Sequence, residues 1–335
     1  MSSEDVSISE RTGSFARNVK LETLLKDINS SLSVAEEKAL SDYRMPQLPV
    51  ILIVGPMRSG TTLFMQWLAN TGIVCYPTNL LSRFYQAPII GAKIQLLLTD
   101  PDYSFRDELG EFMQQAEYKS QNGKTKGVLA PNEFWYFWRR FLAEPDRDVW
   151  TDDELRQSMD TQTMLRELAG IIDVFQKPFA AKGLLFNNNI PFLDSIIENV
   201  LFVQIERDPV SNVASVLDAR KKQLGREDQW YSFEIPEYEE LKHLPPLSQV
   251  AGQVHYINKA VATGMGKVSA ARKITISYEK FCADPAQVFT EMTKKLGLSH
   301  CKYDGPSHFN ITRAGDIRNQ TEIESAIRLF AGGLP

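Results

Sequence analysis

The amino-acid sequence predicts a single α/β domain in which helices flank a central parallel sheet. Four short apolar runs are typical of strands buried on both faces, and they lie near residues 50, 182, 203 and 275. Helical segments separate these runs, and strands that alternate with helices form parallel sheets with right-handed crossovers. We therefore expect one domain over residues 46–335, preceded by an N-terminal helical extension over residues 1–45.

The helices are predicted from apolar residues that recur at helical spacing. Such patterns cover Leu21–Tyr43, Ile89–Leu98, Glu108–Tyr118 and, as one amphipathic helix, residues 152–177. Residues 221–250 contain three prolines and many charges, so we expect a long excursion of loop and helix there.

The composition is that of a globular protein and argues against several functional classes. No apolar run reaches the roughly 18 residues of a membrane span, and residues 1–20 lack the hydrophobic segment of a secretory signal. The formal net charge of −5 disfavours a general affinity for nucleic acid. Three cysteines, an odd number, fit a reducing cytoplasm. We expect no nucleic-acid or membrane partner, and the oligomeric state stays open.

The segment from Pro49 to Leu68 is the most informative part of the chain. An apolar run, VILIV, ends at Gly55, a short polar loop follows, and a helical pattern begins after Thr62. A strand, a tight loop and a helix start direct backbone N–H groups and the positive end of the helix dipole at one point. The sequence therefore predicts a phosphate site in this loop.

The loop differs from the common phosphate loop of ATP- and GTP-binding proteins. That loop reads G-x-x-x-x-G-K-[ST], and its lysine contacts the outer phosphates. Gly55 and Gly60 keep the glycine spacing, but Thr61 occupies the lysine position and the cation is Arg58, inside the loop. A kinase without that lysine loses its main contact with the outer phosphates, so a nucleoside triphosphate is disfavoured.

A second strand–turn–helix unit lies within residues 201–217. The apolar run LFVQI is followed by the turn ERDP, in which Asp208 suits a helix N-cap and Pro209 suits the first helical turn. Arg207 then stands at the end of the strand, and Ser215 lies on the helix that follows. The two units occur in the order expected of one binding site.

Both units resemble those of the sulfotransferases that use 3′-phosphoadenosine 5′-phosphosulfate (PAPS). The residues that match the family's 5′-phosphosulfate loop, [KR]-[ST]-G-T-[TS], are Arg58, Ser59, Gly60, Thr61 and Thr62. Arg207 and Ser215 match the family's pair that binds the 3′-phosphate. The resemblance covers roughly residues 48–320 and implies a P-loop-like fold, PAPS as the donor substrate and a small-molecule acceptor.

Two further segments resemble the same family. Tyr278 opens the stretch YEKFCADP, which is similar to the family's Y-E-[DN]-[LF]-x-x-[DN]-P and implies a place in the adenine pocket. Arg313 and Gly315 fall in a segment similar to the region that closes over the 3′-phosphate, although only its second half is in register. These residues complete the expected donor site.

Sulfuryl transfer requires positioned reactants, positive charge beside the leaving phosphate and a base for the acceptor hydroxyl. It needs no metal, and the cysteines and the four histidines show no metal-ligand spacing. Arg58 supplies one cation. Lys182 is the candidate for a second, because it lies near the place where soluble family members carry a Lys-Thr-His segment. A lysine whose stem merely covers a strand edge is the alternative.

The catalytic base cannot be carried over from the family, because Leu184 occupies the place of its usual catalytic histidine. Our candidate is Glu133, which precedes the aromatic run Phe134–Trp138 and would lie beside an apolar acceptor pocket. An acid at this position also favours a helix start. The alternatives for the base are Glu117, His255 and His308.

A second functional class stays open. A P-loop-type kinase, or a nucleotide-binding protein without transferase activity, would also place a strand, a loop and a helix around a phosphate. Dependence on magnesium distinguishes the classes, since a kinase needs the ion. All specific motifs concern the donor, so the sequence predicts no acceptor beyond a hydroxyl, or an amine, of a small molecule.

Overall fold

The computed structural model describes residues 18–103, 106, 120–121, 124–311 and 320–331. The strands in these residues are β1 (Val50–Val54), β2 (Ser120–Gln121), β3 (Lys124–Thr125), β4 (Phe179–Lys182), β5 (Val200–Glu206) and β6 (Lys273–Ser277). Strands β4, β1, β5 and β6 pair in that order in one parallel sheet, and β2 pairs antiparallel with β3. The predicted parallel sheet is confirmed, with all four strands at the expected places.

The sheet is buried on both faces, which is why its strands read as continuous apolar runs. Every residue of β1 is buried. Val50, Leu52 and Val54 pack into the hydrophobic core on one face, whereas Ile51 and Ile53 pack into the core on the other. This division follows from the pleat, since successive side chains of a strand point to opposite faces.

Helices cover the sheet and carry the connections between its strands. In the described residues they are α1 (Val19–Leu40), α2 (Thr61–Asn70), α3 (Pro88–Thr99), α4 (Trp135–Arg139), α5 (Asp152–Ser158), α6 (Thr161–Phe175), α7 (Ile190–Ile196), α8 (Pro209–Leu224), α9 (Tyr238–Leu241), α10 (Pro246–Lys267), α11 (Tyr278–Ala283), α12 (Pro285–Lys295) and α13 (Gln320–Ala331). The predicted start of α8 is confirmed, because the Asp208 side chain accepts the backbone N–H of Ser211. Among these described helices, none combines the length and apolar character that crossing a bilayer requires.

The helix predicted over residues 152–177 is wrong in one respect, since two helices, α5 and α6, occupy it. Met159 has an extended backbone between them (φ −78°, ψ 132°). Asp160 then accepts the backbone N–H of Thr163 and starts α6. A short acidic side chain that bonds the backbone favours a helix start over a helix interior.

Each of the other predicted segments either matches the structure or lies outside the described residues. The excursion predicted from residue 221 begins only after α8, which ends at Gly225 with a left-handed backbone (φ 70°). It continues through α9 to α10, which starts at Pro246. The helix predicted over Glu108–Tyr118 lies outside the described residues.

The N-terminal helix α1 is attached to the domain by buried polar contacts. Glu36, only 1% exposed, accepts the backbone N–H groups of Ile89 and Ile90 at 2.7 and 3.0 Å, and so caps α3. Asn29 donates to the carbonyl of Arg83 at 2.7 Å and accepts the N–H of Gln86 at 2.8 Å. Burial raises the pKa of Glu36. The boundary near residue 45 stays a prediction.

Candidate active site

The loop between β1 and α2 has three residues with positive φ angles. Gly55 (φ 142°) and Gly60 (φ 101°) are both in conformations that favour glycine, and Arg58 (φ 62°) is left-handed as well. A Cβ atom on Gly60 would lie 2.2 Å from the ring of Tyr278. Gly60 is the N-cap of α2 and has no side chain, so no capping side chain of its own competes with an anion for the first N–H groups of the helix.

Two buried asparagines hold the backbone of this loop, and sequence reasoning missed both. Asn187 accepts the N–H of Gly55 at 3.0 Å and donates to its carbonyl at 2.9 Å. Asn212, on α8, donates to the carbonyl of Met57 at 2.8 Å. Each asparagine is 1% exposed. The available signal was an amide at the end of the turn that follows β4, for Asn187, and one near a helix start, for Asn212, where amides bond backbone groups.

Residues from three strand ends converge beside the loop. The Arg58 Nε atom donates to Ser215 Oγ at 3.3 Å, and Arg207 Nη1 donates to the backbone oxygen of Arg58 at 2.8 Å. The Arg207 guanidinium lies 4.8 Å from the centroid of the Tyr278 ring. Burial lowers the pKa of Arg207, and the nearby charge of Arg58 lowers it further. Two cations close together at the carboxyl edge of the sheet make this a candidate anion site.

Ser59 and Thr61 are buried within the loop and the first turn of α2, at 0% and 4% exposure. Their side chains are therefore enclosed by protein, and the Ser59 N–H donates to the Pro56 carbonyl at 3.3 Å. Tyr278 is likewise buried, between Gly60 and Arg207, so its ring supports the loop. The adenine contact expected of it stays a prediction.

Lys182, Thr62 and Glu133 meet on the other side of the loop. Lys182 ends β4, and its Nζ atom donates to Thr62 Oγ1 at 2.7 Å and to Glu133 Oε1 at 3.1 Å. The Lys182 side chain is 5% exposed and that of Glu133 is 26% exposed. The structure thus brings together the two candidate catalytic side chains and the predicted donor loop.

The aromatic run after Glu133 divides between the core and the surface. Phe134, Phe137 and Trp138 are buried in the core, whereas Trp135 is half-buried and Tyr136 is exposed. The Trp135 indole N–H donates to Glu133 Oε2. Consecutive residues of a helix cannot all face the core, and the structure identifies which of these aromatics do.

The other candidates for a base lie elsewhere. The His255 ring contacts Tyr256 and Phe330, and burial lowers its pKa. His308 is exposed and bonds Ser307. Leu184 is buried in a short 3₁₀ turn. The remaining sequence-predicted residues, Glu117, Arg313 and Gly315, lie outside the described residues.

The described residues contain no group of histidine, cysteine and acidic side chains that could hold a metal ion. Two arginines and one lysine–carboxylate pair are arranged around the same loop.

Comparison with known proteins relates this arrangement to one family. The sequence model of the Sulfotransferase family matches residues 49–302. The crystal structure of sulfotransferase STF1 from Mycobacterium tuberculosis H37Rv is similar with a TM-score of 0.51 and 13% identity, over 89% of this chain and 81% of that one. At this identity the likeness shows the fold alone. No curated protein sequence matches the chain.

Two further solved structures are similar at lower TM-scores. Sulfotransferase STF9 from Mycobacterium avium has a TM-score of 0.49 at 13% identity, over 95% of this chain and 78% of that one. The sulfotransferase domain of the Synechococcus PCC 7002 olefin synthase has a TM-score of 0.41 at 18% identity, over 88% of this chain and 90% of that one.

Proposed function

The chain belongs to the sulfotransferase family, and we propose that it moves a sulfuryl group from PAPS to a hydroxyl, or an amine, of a small molecule. The observation that carries the proposal is the position of Lys182, whose ammonium contacts both Thr62 of the donor loop and Glu133. A donor loop and a lysine–carboxylate pair in contact are what an in-line transfer between two bound substrates needs.

We propose the loop as the site of the 5′-phosphosulfate. The residues concerned are Arg58, Ser59, Gly60, Thr61 and Thr62. Support comes from the glycine N-cap of α2, Gly60, which places no side chain over the first N–H groups of the helix.

We propose Arg207 and Ser215 as the site of the 3′-phosphate. The closeness of Arg58 to both residues supports this role, because a phosphate there would offset the repulsion between two partly desolvated guanidinium groups. Tyr278 in the adenine pocket, and Arg313 and Gly315 over the 3′-phosphate, are proposed from the family resemblance.

In the proposed reaction Glu133 is the base. The acceptor oxygen attacks sulfur and forms a new S–O bond while its proton passes to the Glu133 carboxylate. The bond from sulfur to the bridging oxygen breaks, and 3′,5′-adenosine bisphosphate leaves with the electron pair. Lys182 and Arg58 offset the charge that develops on the leaving phosphate, so the chemistry requires no metal.

Thermal denaturation tests the donor, since a ligand that binds only the native state stabilises it. We expect 3′,5′-adenosine bisphosphate to raise the Tm and ATP with magnesium to leave it unchanged. The reverse result would favour the P-loop-type kinase. A PAPS-dependent screen of phenols, alcohols, sugars and amines, read by mass spectrometry, then identifies the acceptor. The three free cysteines support a cytoplasmic setting for this activity.

A further inference from the structure

We propose that Trp135 is a positioning residue for the catalytic carboxylate of Glu133, an inference that rests on the proposed function. The two carboxylate oxygens are held by donors from different elements. Lys182 at the end of β4 donates to Oε1 at 3.1 Å, and the indole N–H of Trp135 on α4 donates to Oε2. A glutamate side chain has several rotatable bonds, so two donors fix an orientation that one would leave free.

These two bonds are compatible with a role as a base. Each oxygen of an ionised carboxylate has two lone-pair sites, so a bond from one donor does not use up its capacity to accept. The Glu133 side chain keeps 26% of its exposure, which leaves it an open side toward a substrate. The Trp135 indole is half-buried and lies beside this carboxylate.

The Trp135 indole packs against Phe233, on the excursion after α8, and against Arg139, the last residue of α4. Helix α4 has only five residues, and a helix this short depends on tertiary packing for its stability. The Phe233 ring lies 6.3 Å from the Trp135 ring, centroid to centroid. The Arg139 guanidinium lies 5.5 Å from the same ring. The indole is thus packed between α4 and the excursion that follows α8.

Asp148 contacts both Arg139 and the segment that contains Phe233. It forms an ion pair with Arg139 and accepts the backbone N–H of Glu234, the neighbour of Phe233, at 2.8 Å. Gln253 on α10 also donates to the Phe233 carbonyl at 3.3 Å. The contacts on Trp135 are therefore anchored to the body of the domain, which gives the carboxylate a rigid second support.

The first test observes the hydrogen bond in the full chain without any ligand. The chain has five tryptophans, and ¹⁵N-labelling of their indoles gives one resonance each. The resonance missing from Trp135→Phe belongs to Trp135. We expect it to move upfield and exchange faster in Glu133→Gln, because the bond loses its charged acceptor. Trp150→Phe identifies the Trp150 resonance in the same way. That resonance is the control and should not move in Glu133→Gln, because the Trp150 indole donates to the Arg147 carbonyl.

The second test measures turnover as the release of 3′,5′-adenosine bisphosphate from PAPS, with water or with an acceptor found by the screen. We expect Trp135→Phe to lower kcat about 10- to 100-fold, the effect of a misplaced reacting group, with bisphosphate affinity unchanged. In a chain that already carries Glu133→Gln, adding Trp135→Phe should have no further effect. A merely structural tryptophan would lower turnover equally in both backgrounds.

The outcomes separate this inference from the proposed function. An identical Trp135 resonance in the parent and in Glu133→Gln, or additive losses of kcat, would overturn the positioning role while sulfuryl transfer stands. If the parent neither binds 3′,5′-adenosine bisphosphate nor consumes PAPS, the proposed function fails and Trp135 positions no catalytic group. The resonance comparison needs no activity, so it remains decisive if Trp135→Phe folds poorly.

Discussion

Lys182 and Glu133 form an ion pair, with 3.1 Å between Nζ and Oε1, although they belong to different segments of the chain. The lysine side chain is almost fully buried, and its second bond goes to Thr62 at the start of α2. The Lys182 ammonium thus bonds both Glu133 and Thr62. Removing it would leave the Glu133 carboxylate without its ion-pair partner and Thr62 without this hydrogen bond. The pair therefore links the proposed base to the proposed donor loop.

Lys182→Met keeps most of the side-chain volume and removes the charge. We expect kcat to fall about 10²-fold or more, because the leaving phosphate loses a cation that acts in the transition state. The affinity for 3′,5′-adenosine bisphosphate should change only a few-fold. Steady-state kinetics and calorimetry check the two quantities. Lys177→Met, at an exposed position before β4, is the control. Equal losses of affinity and rate would contradict a role in the transfer step.

Glu133→Gln keeps the size of the side chain but cannot accept the acceptor's proton. Turnover should fall by about 10²-fold or more, the usual contribution of a positioned base, while donor affinity stays near that of the parent. Glu144→Gln removes an exposed acid nearby in sequence and should be neutral. If turnover in Glu133→Gln stays within a few-fold of the parent, Glu133 is structural, and His255 and His308 are the next candidates.

Arg207→Ala should weaken the binding of 3′,5′-adenosine bisphosphate by about 1.5–3 kcal/mol, as expected for a lost charge-assisted contact. Arg58→Ala should weaken binding and also lower kcat, since Arg58 lies in the loop proposed for the phosphosulfate. Titration calorimetry measures the affinities. Arg226→Ala, at an exposed site on the excursion, is the control. An unchanged donor affinity in Arg207→Ala would remove the 3′-phosphate assignment.

Glu36 should make the stability of the protein depend on pH. Burial raises its pKa above the ordinary value of 4.5, so the folded protein keeps this proton where the unfolded chain has lost it. The free energy of unfolding contributed by this group should therefore decrease as pH rises from 4.5 through the raised pKa. Urea denaturation across this range measures it. Glu36→Gln should flatten the dependence, whereas Glu37→Gln, at an exposed position, should preserve it. Parallel profiles for Glu36→Gln and the parent would show that Glu36 contributes nothing.

The sheet could be predicted because strands that are buried on both faces consist almost entirely of apolar residues. Five consecutive branched aliphatic residues in β1 have no other common explanation than a strand covered on both faces. The starts of α8 and α12 are also encoded by neighbouring residues. At each Asp-Pro pair the aspartate side chain accepts a backbone N–H three residues ahead. The break at Met159 was not predictable in this way, because the apolar pattern continues through it.

The contacts of the site lie beyond what the sequence can indicate. Arg58 and Ser215 are 157 positions apart, and the motifs that identify them assign each to a different phosphate. Glu133 was predicted beside a pocket, yet its contact with Lys182 depends on an irregular loop. Asn132 anchors that loop by donating to Asn79 at 2.9 Å, a pairing that no periodicity reveals.

The Tyr278 ring, which lies against Gly60 and under the Arg207 guanidinium, constrains how this protein can be re-engineered. A side chain introduced at position 60 requires a smaller one at position 278, and that change in turn withdraws the surface against which Arg207 packs. Libraries that vary these three positions one at a time would return mainly defective clones. Diversity is better introduced away from this contact, so that the donor half of the protein is inherited intact.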